Sequence, residues 1–284
     1  MTTDRSISIS AAPYDGYEAA RMLESLARIG ATHVEPAWIV GYTEPFDESA
    51  FTPDKATAYA GWMRDAGIAC RAFSSHIDLG RADAVKVFKG RMDFARRLGA
   101  EVINTNASGR GNERRFLDNI AELARHAEAI GIAIGLENPG DGSDNLLDTA
   151  ADGPALLGAI GERCVGLNYD AGNTASHRPD VPAADDALIA MPLCVHTHVK
   201  DVRRTEDGWF FTALGEGEVG VDRILTAIAA QPGLHLSIEI PMRLHRGRDA
   251  KPGRDPYRVP LADIERVLGA SLRYARGFFE TSYA

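Results

Sequence analysis

Four apolar runs from residue 132 onward each end in side chains able to bind a cation or move a proton. IAIGLEN closes on Glu137 and Asn138, VGLNYDAGN carries Asp170, LCVHTHVKD carries His196 and His198, and LHLSIEIP carries Glu239. A carboxylate following apolar neighbours is costly to bury unless something positive compensates it, and a metal ion is a common compensator. Singly, each of these acids would more often be one half of a structural ion pair. Two glutamates, one aspartate and one of the two histidines, all at the ends of successive strand-like runs, make a set of three oxygen donors and one nitrogen donor. Such hard donors suit Mn²⁺ foremost, with Mg²⁺, Co²⁺ or Fe²⁺ as alternatives, better than the thiolate sites of structural zinc.

The two histidines pose a separate question. Side chains alternate along a strand, so His196, His198 and Lys200 share a face. A histidine pair of this kind serves as readily as hydrogen-bonded core residues as it does as ligands.

What must position these groups is legible from a repeat. ARIGATHVE, RDAGIACRA, RRLGAEVIN and EAIGIAIGLEN each read as helix, glycine stop and strand. Their glycines, Gly30, Gly67, Gly99 and Gly131, are spaced by 37, 32 and 32 residues. Glycine tolerates the left-handed conformation that ends a helix. A period near 32 fits one strand plus one crossover helix, and eight such units make a barrel of about 250 residues. Strands are expected at residues 6–10, 32–36, 69–75, 101–106, 133–137, 165–170, 193–200 and 234–240. Helices are expected at 19–30, 54–66, 84–98, 113–130, 154–162, 221–230 and 261–278, with Thr52 capping before Pro53. The stretch PDVPAADDALIAMP, with proline near both ends, is the weakest helix. The expected architecture is a single-domain α/β (β/α)8 barrel over residues 1–284. A doubly wound sheet is the alternative, but no G-x-G-x-x-G follows an early strand.

Composition narrows the function classes. A chain of 284 residues with 45% hydrophobic residues and a net charge of −9 is globular and ill-suited to covering nucleic-acid phosphates or an anionic membrane. The start, MTTDRSISIS, lacks a signal-peptide core and no run is long enough to span a bilayer, so a cytoplasmic location is expected. Cys70, Cys164 and Cys194 are scattered and read as small buried hydrophobes.

In these motifs the chain resembles the xylose isomerase-like TIM barrels, a superfamily of sugar epimerases, hydroxypyruvate isomerase, inosose dehydratase and endonuclease IV. The resemblance rests on LEN at 136–138, DAGN at 170–173, HVKD at 198–201, LGEGEVG at 214–220 and IEIP at 238–241. It implies that Glu137, Asp170, His198 and Glu239 hold one divalent metal ion and that Glu137 and Glu239 double as the acid/base pair. It also separates the histidines, leaving His196 about 6.6 Å deeper, as a support or substrate contact. The implied reaction is isomerisation or epimerisation of a small keto sugar or polyol, by proton abstraction beside a carbonyl and a metal-stabilised enediolate. The alternative with the same first step is a dehydratase or lyase acting on a keto-inositol, a 3-keto-glycoside or a related ketone. Endonuclease IV-like repair fits poorly, for want of further histidines and a basic track.

One departure stands out: where free-ketose epimerases of the family usually place a histidine, three residues after the sixth-strand aspartate, this chain has Asn173. Further expected substrate contacts are His76, Trp38, Asn106 and Arg243. Arg243 is the cation nearest strand eight in the basic stretch MRLHRGRDAKPGRDPYRVP, whose other charges are expected in a solvated loop or subunit contact. Glu35 is expected to form a structural hydrogen bond or touch a sugar hydroxyl, and His177 to lie on the surface. The loop with Tyr42 and Phe46 suits a lid or a contact within a homo-oligomer.

Overall fold

The computed structural model describes residues 6–280 of the chain. The first five residues of the expected amino-terminal reading, and the outer ends of the 1–284 span, lie outside the described residues. Eight strand positions form the frame: β1 (Ile7–Ser10), β2 (His33–Glu35, resumed at Ala37–Ile39), β3 (Ala69–Cys70, resumed at Ala72–His76), β4 (Val102–Asn106), β5 (Ala133–Glu137), β6 (Val165–Asp170), β7 (Cys194–Val199) and β8 (Leu236–Ile238). Each pairs in parallel with its neighbours in the chain, and β1 pairs with β8, so the sheet closes into a barrel. β2 breaks at Pro36, which has no N–H to give the ladder. β8 is shorter than expected from the sequence, and β2 continues three residues beyond its proline.

The helices are α1 (Ala19–Arg28), α2 (Pro53–Ala66), α3 (Ala84–Leu98), α4 (Glu113–Ile130), α5 (Gly153–Ile160), α6 (Ala171–His177), α7 (Ala183–Ala190), α8 (Val221–Ala229) and α9 (Leu261–Glu280). Thr52 Oγ1 caps α2 by accepting from Lys55 N. Gly30, Gly67, Gly99 and Gly131 all have positive φ, between 67° and 99°, which is what lets the chain leave each helix and enter the next strand at once. Inward faces such as Phe88, Met92 and Ala95 of α3 pack on the outside of the barrel and form one continuous core. Parallel strands covered in this way are buried on both sides, as the Ala72–His76 segment of β3 and the whole of β6 are.

Two features exceed the expectation. The short α6 follows β6 immediately, and the basic stretch is not a bare loop. Its segments Leu244–Gly247 and Pro252–Arg254 join Asp201–Thr205 and Gly208–Thr212 in a four-stranded antiparallel sheet. The glycine-rich 214–220 segment then wraps the Asp201 carboxylate, which accepts from the amides of Gly215, Gly217 and Val219.

Candidate metal centre and cavity

The carboxyl ends of β5 to β8 converge on one cluster. Donor atoms of Glu137, Asp170, His198 and Glu239 lie within 4.8 Å of one another, and all four side chains are buried. Register accounts for the meeting. β7 carries one extra residue, Val195, against β6, and beyond that irregularity Asp170 stands opposite His198. Asn138 locks the neighbouring strand ends, accepting from Asp170 N at 2.9 Å and donating to Asp170 O at 3.0 Å. Asp170 Oδ1 caps α6 by accepting from Asn173 N, which leaves Oδ2 facing the cluster.

Each glutamate is held differently. Asn168 and Asn173 donate to the two oxygens of Glu137, at 2.7 and 2.9 Å. Burial, the largest influence, would raise its pKa. The charges of His198, His76 and Lys200 outweigh it and hold the carboxyl down at about 2. Glu239 Oε2 accepts from Lys200 Nζ at 2.5 Å. Lys200 also lies 3.0 Å from Asp170 Oδ2 and donates to Asn173 Oδ1 at 3.3 Å. Its stem crosses α6 at Gly172, where a Cβ would stand 2.2 Å from Lys200 Cγ. Burial disfavours the Lys200 ammonium, but Asp170, Glu239 and Glu137 raise its pKa, so it stays charged.

Beneath the cluster lies Glu35, fully buried, whose Oε1 accepts from Ser74, Asn104 and His198 Nε2. Burial would raise its pKa, and the charges and hydrogen bonds of His198 and His196 hold it well below the usual carboxylate range. His198 is buried too, which by itself lowers its pKa, but Glu35, Glu137 and Glu239 raise it well above 6.5. His196 Nε2 meets Ser237 Oγ at 2.9 Å, and burial keeps that ring neutral by lowering its pKa. Glu35, His196 and His198 form a second group compact enough for a cation, but its Glu35 Oε1 and His198 Nε2 are occupied with each other.

The upper cluster fits a divalent ion. Asp170 Oδ2, His198 Nδ1 and Glu239 Oε1 are buried and without hydrogen bonds, and three carboxylates with one imidazole are a hard, anionic donor set. A cavity of about 420 Å³ opens above it. Glu137, Glu239 and Lys200 line it, whereas Asp170 and His198 are buried and are not among its lining residues.

Of the expected substrate contacts, His76, Asn106 and Asn173 line this cavity, and His76 Nε2 comes within 3.4 Å of Glu137 Oε2. Trp38, His196 and Arg243 are not among its lining residues. Trp38 points outward and packs on Phe51, Tyr59, Phe73 and Phe94, with ring centroids 5.3 to 5.9 Å away. Arg243 is tied to Asp15, Glu44 and the carbonyl of Asp255. Arg246 lines the cavity instead, because alternation along Leu244–Gly247 turns Leu244 and Arg246 inward. His177 is buried, not on the surface: its Nδ1 accepts from Gly142 N and its Nε2 meets Asp148 at 3.0 Å, pinning the loop after β5. Lys200 was visible in the sequence only as the third member of the His196–His198 face. Arg246 carried no mark among six basic residues of one segment.

No helix among the described residues is long and apolar enough to cross a membrane. A search of curated protein sequences returns no match. Solved structures do resemble this one. A xylose isomerase-like TIM barrel protein from Mycobacterium smegmatis in complex with magnesium is 18% identical, with a TM-score of 0.76, over 99% of this chain and 98% of that one. A D-psicose 3-epimerase from Clostridium cellulolyticum H10, solved with D-tagatose, is 16% identical, with a TM-score of 0.72, over 96% and 99%. A probable 3-DHS dehydratase from Bacillus anthracis is 14% identical, with a TM-score of 0.69, over 95% and 98%. At such identities the likeness speaks to the fold. The sequence itself matches the family described as xylose isomerase-like TIM barrel over residues 23–258, most of its length, and the chain belongs to that family.

Proposed function

We propose that this chain is a divalent-metal-dependent epimerase or isomerase of a small keto sugar or polyol, with Glu137 and Glu239 as its acid/base pair. The observation that carries the reading is the meeting of two differently held glutamates on the floor of one cavity, both belonging to a buried four-residue donor set completed by Asp170 and His198. A divalent ion, when bound by Glu137, Asp170, His198 and Glu239, supplies positive charge that makes the hydrogen beside a substrate carbonyl more acidic. The protein's own groups do the rest. Glu137 is ionised at neutral pH and oriented by two amide donors, the charge state and alignment that a proton-accepting carboxylate requires. Glu239 keeps Oε1 free of hydrogen bonds while Lys200 steadies Oε2. One glutamate takes the carbon-bound proton, and the other returns one to the opposite face. His76, beside Glu137 and on the cavity wall, is placed to hold a substrate hydroxyl.

A second reading keeps the first step and ends in elimination. Asn173 stands where free-ketose epimerases of the family usually have a histidine, and the structural neighbour named as a probable 3-DHS dehydratase illustrates loss of water on this fold. The test is solvent-deuterium exchange into candidate keto sugars, with mass analysis of products. Incorporation into an epimer of unchanged composition supports the first reading, and loss of water or an aglycone supports the second. Undiminished exchange in Glu137→Gln or Glu239→Gln would overturn both.

A further inference from the structure

We infer that the substrate carries a carboxylate, and that Arg246 is the residue that binds it. This deepens the proposed function by naming a substrate class, and rests on that reading for the carbonyl chemistry. Arg246 is only 2% exposed yet lines the cavity. Its Nη2 donates to Asn173 Oδ1 at 3.1 Å, while Nε and Nη1 have no partner in the protein. A buried guanidinium with unmet donors is costly, and a carboxylate can accept from Nη1 or Nε together with the second hydrogen of Nη2, which completes a planar fork.

The surroundings are built around that guanidinium. The Tyr42 ring lies 5.5 Å from Arg246 Cζ. At Gly140 a Cβ would stand 2.5 Å from Arg246 Cζ and Nη2, so the absence of a side chain there makes room for the group. Asn173 explains itself in the same setting. Its Oδ1 accepts from both Arg246 and Lys200, while its Nδ2 donates to Glu137 and to the carbonyl of Asn138. An amide can serve two cations and a carboxylate at once in this way, and a histidine has no carbonyl oxygen to offer them. Asn173 therefore sets the spacing between the carboxylate-binding Arg246 and the proton-transferring Glu137.

A monoanionic carboxylate fits better than a phosphate ester. Asp78, Asp141 and Asp144 also line the cavity and would repel a dianion more strongly than a monoanion.

The test compares D-fructose, D-fructuronate and D-fructose 6-phosphate, which differ at one terminal carbon, by calorimetric binding to the metal-loaded and the metal-stripped protein. Fructuronate is expected to bind about 10- to 100-fold more tightly than fructose in both forms. Arg246→Gln is expected to abolish that preference. Gly140→Ala, which leaves every charge in place and displaces the guanidinium, is expected to do the same, and it decides the matter together with the wild-type comparison if Arg246→Gln folds poorly. Equal or tighter binding of fructose, a preference that survives both substitutions, or no binding of any of the three would overturn the inference. Tighter binding of the phosphate ester would overturn the assignment to a carboxylate. Fructuronate preference without proton exchange would overturn the proposed reaction while leaving the Arg246 site standing. Exchange into fructose with no preference for the acid would do the reverse.

Discussion

His198 Nε2 donates to Glu35 Oε1 at 2.9 Å, joining β7 to the end of the first segment of β2 and leaving Nδ1 of the same ring toward Glu137, 3.0 Å from its Oε2. A carboxylate on the far nitrogen fixes the orientation of a ligating imidazole and strengthens it as a donor. Glu35→Gln keeps the shape and removes the charge. It is expected to weaken divalent-metal affinity by about 10- to 100-fold, measured by calorimetry. Unchanged affinity would reduce Glu35 to a packing residue.

The same ring sets a pH dependence. In the metal-free protein His198 is held well above 6.5 and carries a proton on each nitrogen. Asp170 is pushed up to about 6, by burial first and by Glu137 and Glu239 after that, against the pull of Lys200. Both groups must be deprotonated to ligate, so protons compete with the metal. Affinity is therefore expected to fall as pH drops, because a raised pKa means a proton held more tightly. Below about pH 6 the Asp170 proton adds to the His198 proton. Titrations in two buffers of different ionisation heat should reveal proton release on binding, and constant affinity between about pH 5 and pH 8 would contradict this.

Lys200 neutralises part of the acid cluster when no ion is present, through Asp170 and Glu239. Breaking a buried pair leaves an uncompensated charge and costs about 3–5 kcal/mol. Lys200→Met should therefore lower the melting temperature of the metal-stripped protein well below that of the wild type. Added Mn²⁺ or Mg²⁺ should recover most of the difference, since a cation again faces the carboxylates. An equal deficit with and without metal would show that the lysine acts through packing alone.

Trp38 offers a contrast. Its ring packs against four aromatic side chains outside the cavity. Trp38→Ala is expected to cost about 3–5 kcal/mol of stability, read by denaturant unfolding. The carboxylate preference and deuterium exchange should persist at temperatures where the variant remains folded. A selective loss of substrate binding without loss of stability would return Trp38 to the site.

The sequence by itself determined the barrel and the side chains that end its strands. Helix stops at Gly67, Gly99 and Gly131 and polar residues closing β5 and β6 are local features, set by backbone sterics and by the cost of burying a charge beside apolar neighbours. Only the tertiary structure decided depth and direction. Asp170 meets His198 through a strand irregularity that no local pattern marks, and Lys200 reaches the acids because Gly172 lies under its stem. Arg246, and not Arg243, turns inward because the basic segment pairs into an antiparallel sheet with residues some forty positions earlier, and that pairing sets which side of each strand faces the cavity. Trp38 faces the helices for the kindred reason that an aromatic layer from α2, α3 and β3 gathers on that side. Contacts between distant segments choose among chemically similar residues, and charge and apolarity along the chain do not carry that choice.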